Sequence, residues 1–165
     1  MNVNIIVLGM DNTGKTTLSK MLSKELNYKI IESKGLYLNK EEIINYLLEN
    51  INKDNNIFER FSLFDEMIYG KVLRNYSKFE INGDFYKKIK DKKPIIIYCR
   101  PKNKDILNWQ NREQMKGVID NSLKLIEEFD KLILNIKKDF KIINWNFKED
   151  NFKDLLEKIN DNPKI

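Results

Sequence analysis

Apolar positions in this chain fall into two patterns, short continuous runs and longer stripes at helical spacing, and the two alternate along its length. The runs are Val3-Asn4-Ile5-Ile6-Val7-Leu8, Tyr28-Lys29-Ile30-Ile31-Glu32, Ile57-Phe58 stopping at Glu59-Arg60, Ile95-Ile96-Ile97-Tyr98-Cys99, and Lys141-Ile142-Ile143-Asn144-Trp145. Such segments, rich in β-branched residues, suit strands buried on both faces. Between them lie helical stripes. Leu18, Met21, Leu22 and Leu26 form the first, and Ile43, Ile44, Leu47, Leu48 and Ile51 the second. Asn39 with Glu42 three residues on predicts a capping box at the start of that second helix. Phe61, Phe64, Ile68, Val72 and Tyr76 predict a long third helix. Gly70 within it lowers local helix stability by about 1 kcal/mol relative to alanine, which suggests a kink or a close backbone contact. Asp84, after the Asn82-Gly83 turn, is placed to cap a short helix to Lys90. Ile119, Leu123, Ile126, Phe129 and Ile133 mark a helix from Val118 to about Ile136. Phe152, Leu155, Leu156 and Ile159 mark the last, after which Asn160 to Ile165 should fray.

Five strands alternating with helices imply a parallel sheet covered on both faces and built from right-handed crossovers. The 165 residues suit one domain with a substantial core, and no linker, repeat or low-complexity block interrupts them. In open sheets of this kind ligands bind beyond the carboxyl ends of the strands. The residues that close the strands therefore matter most: Gly9 onward, Glu32, Glu59-Arg60, Arg100, and Asn144 to Asn146. A polar stretch from Lys102 to Gly117 carries Lys104, Arg112 and Lys116.

Directly after the first run stands Gly9-Met10-Asp11-Asn12-Thr13-Gly14-Lys15-Thr16, followed by Thr17, which fits the phosphate-loop pattern G-x-x-x-x-G-K-[ST]. Strand, glycine-bounded loop and helix are the context that motif requires, because loop N–H groups and the helix N-terminus must converge on one anion. The expected nucleotide-binding set is Gly9, Asn12, Thr13, Gly14, Lys15, Thr16 and Thr17. Lys15 would reach the β- and γ-phosphates of ATP, and the Thr16 hydroxyl would hold Mg²⁺. Glu59 is a second candidate toward the metal or its hydration shell, and Arg60 can neutralise phosphate charge as a planar fork.

Composition narrows the chemistry. The formal charge is +5 and the pI about 9.1, but basic and acidic residues are interleaved. Net basicity of this kind favours anionic ligands in general and gives no specific sign of nucleic acid. Histidine is absent and Cys99 is the single cysteine. Ser-His-Asp triads, intrachain disulfides and the usual zinc sites are excluded, which leaves carboxylates, lysines and arginines for catalysis. No apolar run approaches the length that spans a membrane, and the expected setting is cytoplasmic.

These residues resemble a family. The phosphate loop, with Asp at its third position, is similar to that of thymidylate kinases, and Glu59-Arg60-Phe61 followed by Tyr69 looks like their Asp-Arg-Tyr segment. Ile97 to Pro101, Gln114 to Val118 and Phe129-Asp130 resemble small nucleotide kinases of the same group, phage-encoded ones included. The resemblance implies a three-layer P-loop NTPase fold with the first strand central and sheet order 2-3-1-4-5. It further implies that Asp11 contacts the acceptor sugar, Lys15 bridges the phosphates, Arg60 grips the acceptor phosphate and Glu59 serves metal and acceptor. A lid at about 100–117 would carry arginines over the transferring phosphoryl, Arg112 first and Arg100 second. Family members are often dimers, and the helix after Arg60 would supply that surface, although a core explains its stripe equally well.

Three departures stand out. Glu32-Ser33-Lys34 replaces the family's Arg-Glu-Pro, so Lys34 would have to stand in for an arginine. Glu59 replaces the usual Asp and, with Glu32, is closer to deoxynucleoside kinases, in which a carboxylate after the second strand acts as base. Tyr69 lies one residue further from the arginine than is typical. Phe61, Tyr37 and Tyr46 are candidates to stack on a base, though aromatic residues at such positions usually serve packing. The expected activity is transfer of the γ-phosphoryl of ATP to a deoxynucleoside monophosphate, a dTMP-like small molecule. The alternatives are a deoxynucleoside kinase with Glu32 as base, and a non-catalytic nucleotide switch or sensor.

Overall fold

A computed structural model describes residues 2–33, 38–110 and 113–161. Five strands form one parallel sheet: β1 (Ile5–Leu8), β2 (Lys29–Glu32), β3 (Asn56–Glu59), β4 (Ile95–Cys99) and β5 (Lys141–Trp145), in the order β2-β3-β1-β4-β5. The expected order 2-3-1-4-5 and the central first strand are therefore observed.

Side-chain alternation along the strands divides the core. Ile6, Leu8, Phe58, Ile96 and Tyr98 point to one face, while Ile5, Val7, Ile57, Ile95, Ile97 and Cys99 point to the other. The second face is covered by α1 (Lys15–Leu26), through Leu18 and Leu22, and by α8 (Phe152–Asn160), through Leu155 and Ile159. The first, larger face is covered by α2 (Lys40–Ile51), by the helices after β3, by α5 (Asp84–Asp91) and by α7 (Ser122–Ile136). The capping box forms as predicted: the Asn39 side chain accepts the Glu42 N–H at 2.9 Å, and Glu42 accepts the Asn39 N–H at 2.8 Å.

Three local expectations are corrected. The helix after Arg60 is not continuous. It runs as α3 (Ser62–Asp65), a π-helical turn (Glu66–Gly70) and α4 (Lys71–Arg74), after which Tyr76 is exposed rather than on the buried stripe. Gly70 is required there because a Cβ would lie 2.4 Å from the Tyr76 carbonyl. α7 begins at Ser122, not Val118. Its buried face is Leu125, Ile126, Phe129, Leu132, Ile133 and Ile136, with Ile119 and Leu123 outside. Asp84 is the first residue of α5 and Gly83 its cap. Within the polar stretch lies one short helix, α6 (Asn103–Ile106). Among the described residues no helix is long and apolar enough to cross a membrane.

Candidate active site

Parallel pairing brings the loop after β1 beside the ends of its neighbours. Val7 is in register with Glu59, and Glu59 with Glu32. Gly9 has φ 148°, and a Cβ there would stand 2.6 Å from the Cys99 carbonyl and 2.9 Å from the Thr13 hydroxyl, so only glycine lets the loop curl this tightly. Gly14, at φ 83°, precedes α1, whose N-terminus has no side-chain cap. N–H groups of an uncapped first turn are of the kind that can hold an anion.

Lys15 is buried, with its ammonium on the Met10 carbonyl and 3.5 Å from the Thr13 hydroxyl. Burial, helped by the Arg60 charge and opposed by Asp11, lowers its pKa to about 8. The Thr16 hydroxyl donates to the Glu59 carboxylate across 43 positions of sequence. A hydroxyl and a carboxylate side by side at a strand end form a partial oxygen donor set for Mg²⁺, which usually takes one or two carboxylates and completes its shell with substrate phosphates and water. These two residues fit that ion. No cluster of three or more acidic or cysteine side chains able to hold a metal occurs among the described residues.

Arg60 has a left-handed backbone, φ 72°, with its N–H on the Val7 carbonyl at 3.1 Å. Its guanidinium pairs with Asp11, and the Tyr69 hydroxyl meets the other Asp11 oxygen at 3.2 Å. Burial works against the Arg60 charge, but Asp65 and Asp11 outweigh it and hold the group protonated. Burial would likewise raise Asp11, yet Arg60 and Lys15 keep it ionised and its pKa lowered. Tyr69 is therefore brought to Asp11 and Arg60 despite its unusual spacing. Glu59 and Arg60, though adjacent in sequence, turn to different partners, Glu59 to Thr16 and Arg60 to Asp11.

The remaining candidates are placed as follows. Thr17 is exposed and lines the cavity. Glu32 is exposed beside Glu59, and its carbonyl accepts the Tyr46 hydroxyl at 2.7 Å. The Asn12 amide is directed at backbone carbonyls of residues 105, 106 and 108. Arg100 lies at the end of β4 but is bound in a bidentate pair by Asp130, at 2.8 and 3.1 Å, and donates to the Pro101 carbonyl at 2.7 Å. It does not line the cavity at the phosphate loop. Phe61 is fully buried between Phe58 and Phe64, with centroids at 5.1 and 5.9 Å, and cannot stack on a base. Arg112, Lys34 and Tyr37 lie outside the described residues.

The structure adds residues that the pattern reading missed. Asp65 is enclosed beside Arg60: its Oδ2 accepts the Phe61 N–H at 3.1 Å, while its buried Oδ1 has no hydrogen-bond partner. Burial pushes its pKa up to about 6 against the pull of Arg60 and Lys15. A carboxylate four residues after Phe61, on the apolar stripe itself, was the signal. A cavity of about 580 Å³ extends from Asn12–Leu18, Glu59 and Arg60 to Met21, Trp145, Phe147, Asp150 and Phe152. Phe147 lies against Gly14, close enough that a Cβ there would come within 3.2 Å of the ring. An apolar residue in the polar run after β5 was the available hint.

No family model matches this sequence, and no curated protein matches it. Solved structures do. The YorR protein of Bacillus subtilis, in complex with phosphorylated GDP, is 24% identical over 95% of this chain and 93% of its own, with a TM-score of 0.72. Deoxyadenosine kinase from M. mycoides, with dCMP and dCDP, is 20% identical over 96% and 99%, TM-score 0.69. Thymidylate kinase from Candida albicans is 14% identical over 96% and 91%, TM-score 0.58. The fold is that of the P-loop kinases, shared by nucleoside and nucleotide kinases alike. Thymidylate kinase is one relative in fold among several, so the likeness does not single it out.

Proposed function

We propose that this chain is a P-loop kinase transferring the γ-phosphoryl of ATP to a deoxynucleoside monophosphate. The observation that carries this reading is the adjacency of two charge sets at the carboxyl edge of the sheet: the Gly9–Thr16 cradle with Lys15, and the Arg60–Asp11–Tyr69 group. The first suits a polyphosphate and the second an acceptor bearing phosphate and sugar hydroxyls. Transfer between phosphates needs positioning and charge neutralisation rather than a strong base, so a chain without histidine is equipped for it.

The chain's own residues divide the work. Loop N–H groups and the α1 N-terminus hold the donor phosphates, and the Lys15 ammonium exchanges the Met10 carbonyl for phosphate oxygens. Thr16 and Glu59 would hold Mg²⁺, which supplies neutralisation of the charge on the β- and γ-phosphates. Arg60 offers its remaining N–H donors to the acceptor phosphate while Asp11 orients it and takes a sugar hydroxyl. Arg112, in the 100–117 segment, is the proposed further cation for the transferring group.

A second reading is favoured by one observation. Asp11 and Asp65 already act on Arg60 and Lys15, and Glu32 stands in register with Glu59 at the strand ends, a balance that suits a neutral sugar 5′-hydroxyl with Glu32 as base. An ADP-release screen across nucleosides and their monophosphates decides between the two. Turnover on monophosphates, lost in Lys15→Ala, supports the first reading. Turnover on nucleosides alone replaces it with the second, and binding without ADP release from any acceptor leaves a nucleotide sensor.

A further inference from the structure

The Asn12 side chain is committed to backbone rather than to the cavity it borders. Its Nδ2 donates to the carbonyls of Ile106 at 2.8 Å and Asn108 at 3.0 Å, with the Asp105 carbonyl at 3.3 Å. The Asp105 and Ile106 carbonyls end α6, a helix of four residues too short to satisfy its own C-terminal acceptors, and the Asn108 carbonyl lies just beyond it. At its ends the Asp105 and Ile106 N–H groups donate to the Lys102 carbonyl and the Leu107 N–H to the Asn103 carbonyl, which leaves the carbonyls of 105, 106 and 108 to the Asn12 amide. An amide from a loop more than ninety positions away in sequence thus serves as the C-terminal cap of α6. The Asn12 backbone is left-handed, φ 64°, a conformation asparagine tolerates and one that belongs to the curl of the phosphate loop. One residue therefore shapes the loop with its backbone and holds a separate segment with its side chain.

We propose that Asn12 is a positioning residue that couples occupancy of the phosphate loop to the order of segment 103–110. An anion bound by the loop N–H groups suppresses local opening of the loop and so fixes the amide on which the α6 carbonyls rest. By linkage the coupling is reciprocal: a well-held segment favours the bound loop. The proposal rests on the phosphate-binding reading of the loop given above.

The test is amide hydrogen exchange, read by mass spectrometry on the full chain with and without saturating Mg²⁺–tripolyphosphate, a probe with no base or sugar. Calorimetry establishes binding. Two variants are compared: Asn12→Gly, which keeps the left-handed backbone, and Asn12→Asp, which keeps the size and loses the donor. In the parent, exchange in 103–110 slows about tenfold on binding, and in both free variants it is about tenfold faster than in the free parent, the effect of one or two hydrogen bonds. Tripolyphosphate, at concentrations that calorimetry shows to saturate Asn12→Gly, no longer slows it there. Parent-like protection in the variants overturns the proposal, as does a rise shared equally by the Ile95–Cys99 peptide, which is global unfolding. Binding to the parent without any change in 103–110 overturns the coupling alone. Absence of binding overturns the phosphate reading along with it.

Discussion

Asp65 makes a measurable claim about the energetics of the site without any ligand. Its carboxyl is pushed up to about 6 by burial, from an ordinary 3.8, and one oxygen has no partner. Between those two values the folded chain binds more protons than the unfolded one, so this group's contribution to stability falls as pH rises. Linkage with these pKa values gives a loss of about 1.4 kcal/mol between about pH 5 and about pH 8. Asparagine in its place keeps an oxygen for the Phe61 N–H and does not titrate. The prediction is therefore a difference of differences: urea unfolding of the parent and of Asp65→Asn at both pH values. With an m-value of about 2 kcal/mol/M, the gap between the two midpoints should move by about 0.7 M in favour of the variant at the higher pH. A gap that stays constant would show that Asp65 is not desolvated as the structure places it. A gap that moves the other way would mean that attraction to Arg60 and Lys15 outweighs burial, and the electrostatic account of the site would fail.

Other outcomes follow from the same geometry. Gly9→Ala puts a Cβ 2.6 Å from the Cys99 carbonyl at a left-handed φ; it should cost about 2–4 kcal/mol, lower Tm by roughly 5–15 °C and abolish nucleotide binding, as melts and calorimetry would record. Arg60→Ala should raise the acceptor KM and lower kcat by about 10²-fold or more, while Glu32→Gln stays within about tenfold; the reverse ranking selects the nucleoside reading. Arg100→Ala should cost about 1 kcal/mol or less through its half-exposed Asp130 partner and change kcat by less than about tenfold; a loss near 100-fold would return Arg100 to the reacting phosphoryl.

The chain itself determined the parts of this protein that depend on near neighbours. Strand positions were legible because β-branched runs such as Ile95 to Cys99 leave a buried strand as the stable local choice, and their alternation set the sheet. The Asn39–Glu42 cap and the glycines of the phosphate loop were legible because each is settled within a few residues. Contacts made across long separations were not. Asp11 finds Arg60 and Tyr69 across 49 and 58 positions, and Arg100 finds Asp130 across 30, only because parallel register and helix packing bring those ends together. That is why Arg100 looked available for a phosphate while a carboxylate on α7 already holds it. It is also why Phe61, which the pattern left between packing and a base-stacking role, packs: the turn from β3 into α3 aims its ring at Phe58 and Phe64, where removing apolar surface from water outweighs any exposed placement. Local pattern chose the elements and the loop, and tertiary packing decided which charges were left for chemistry.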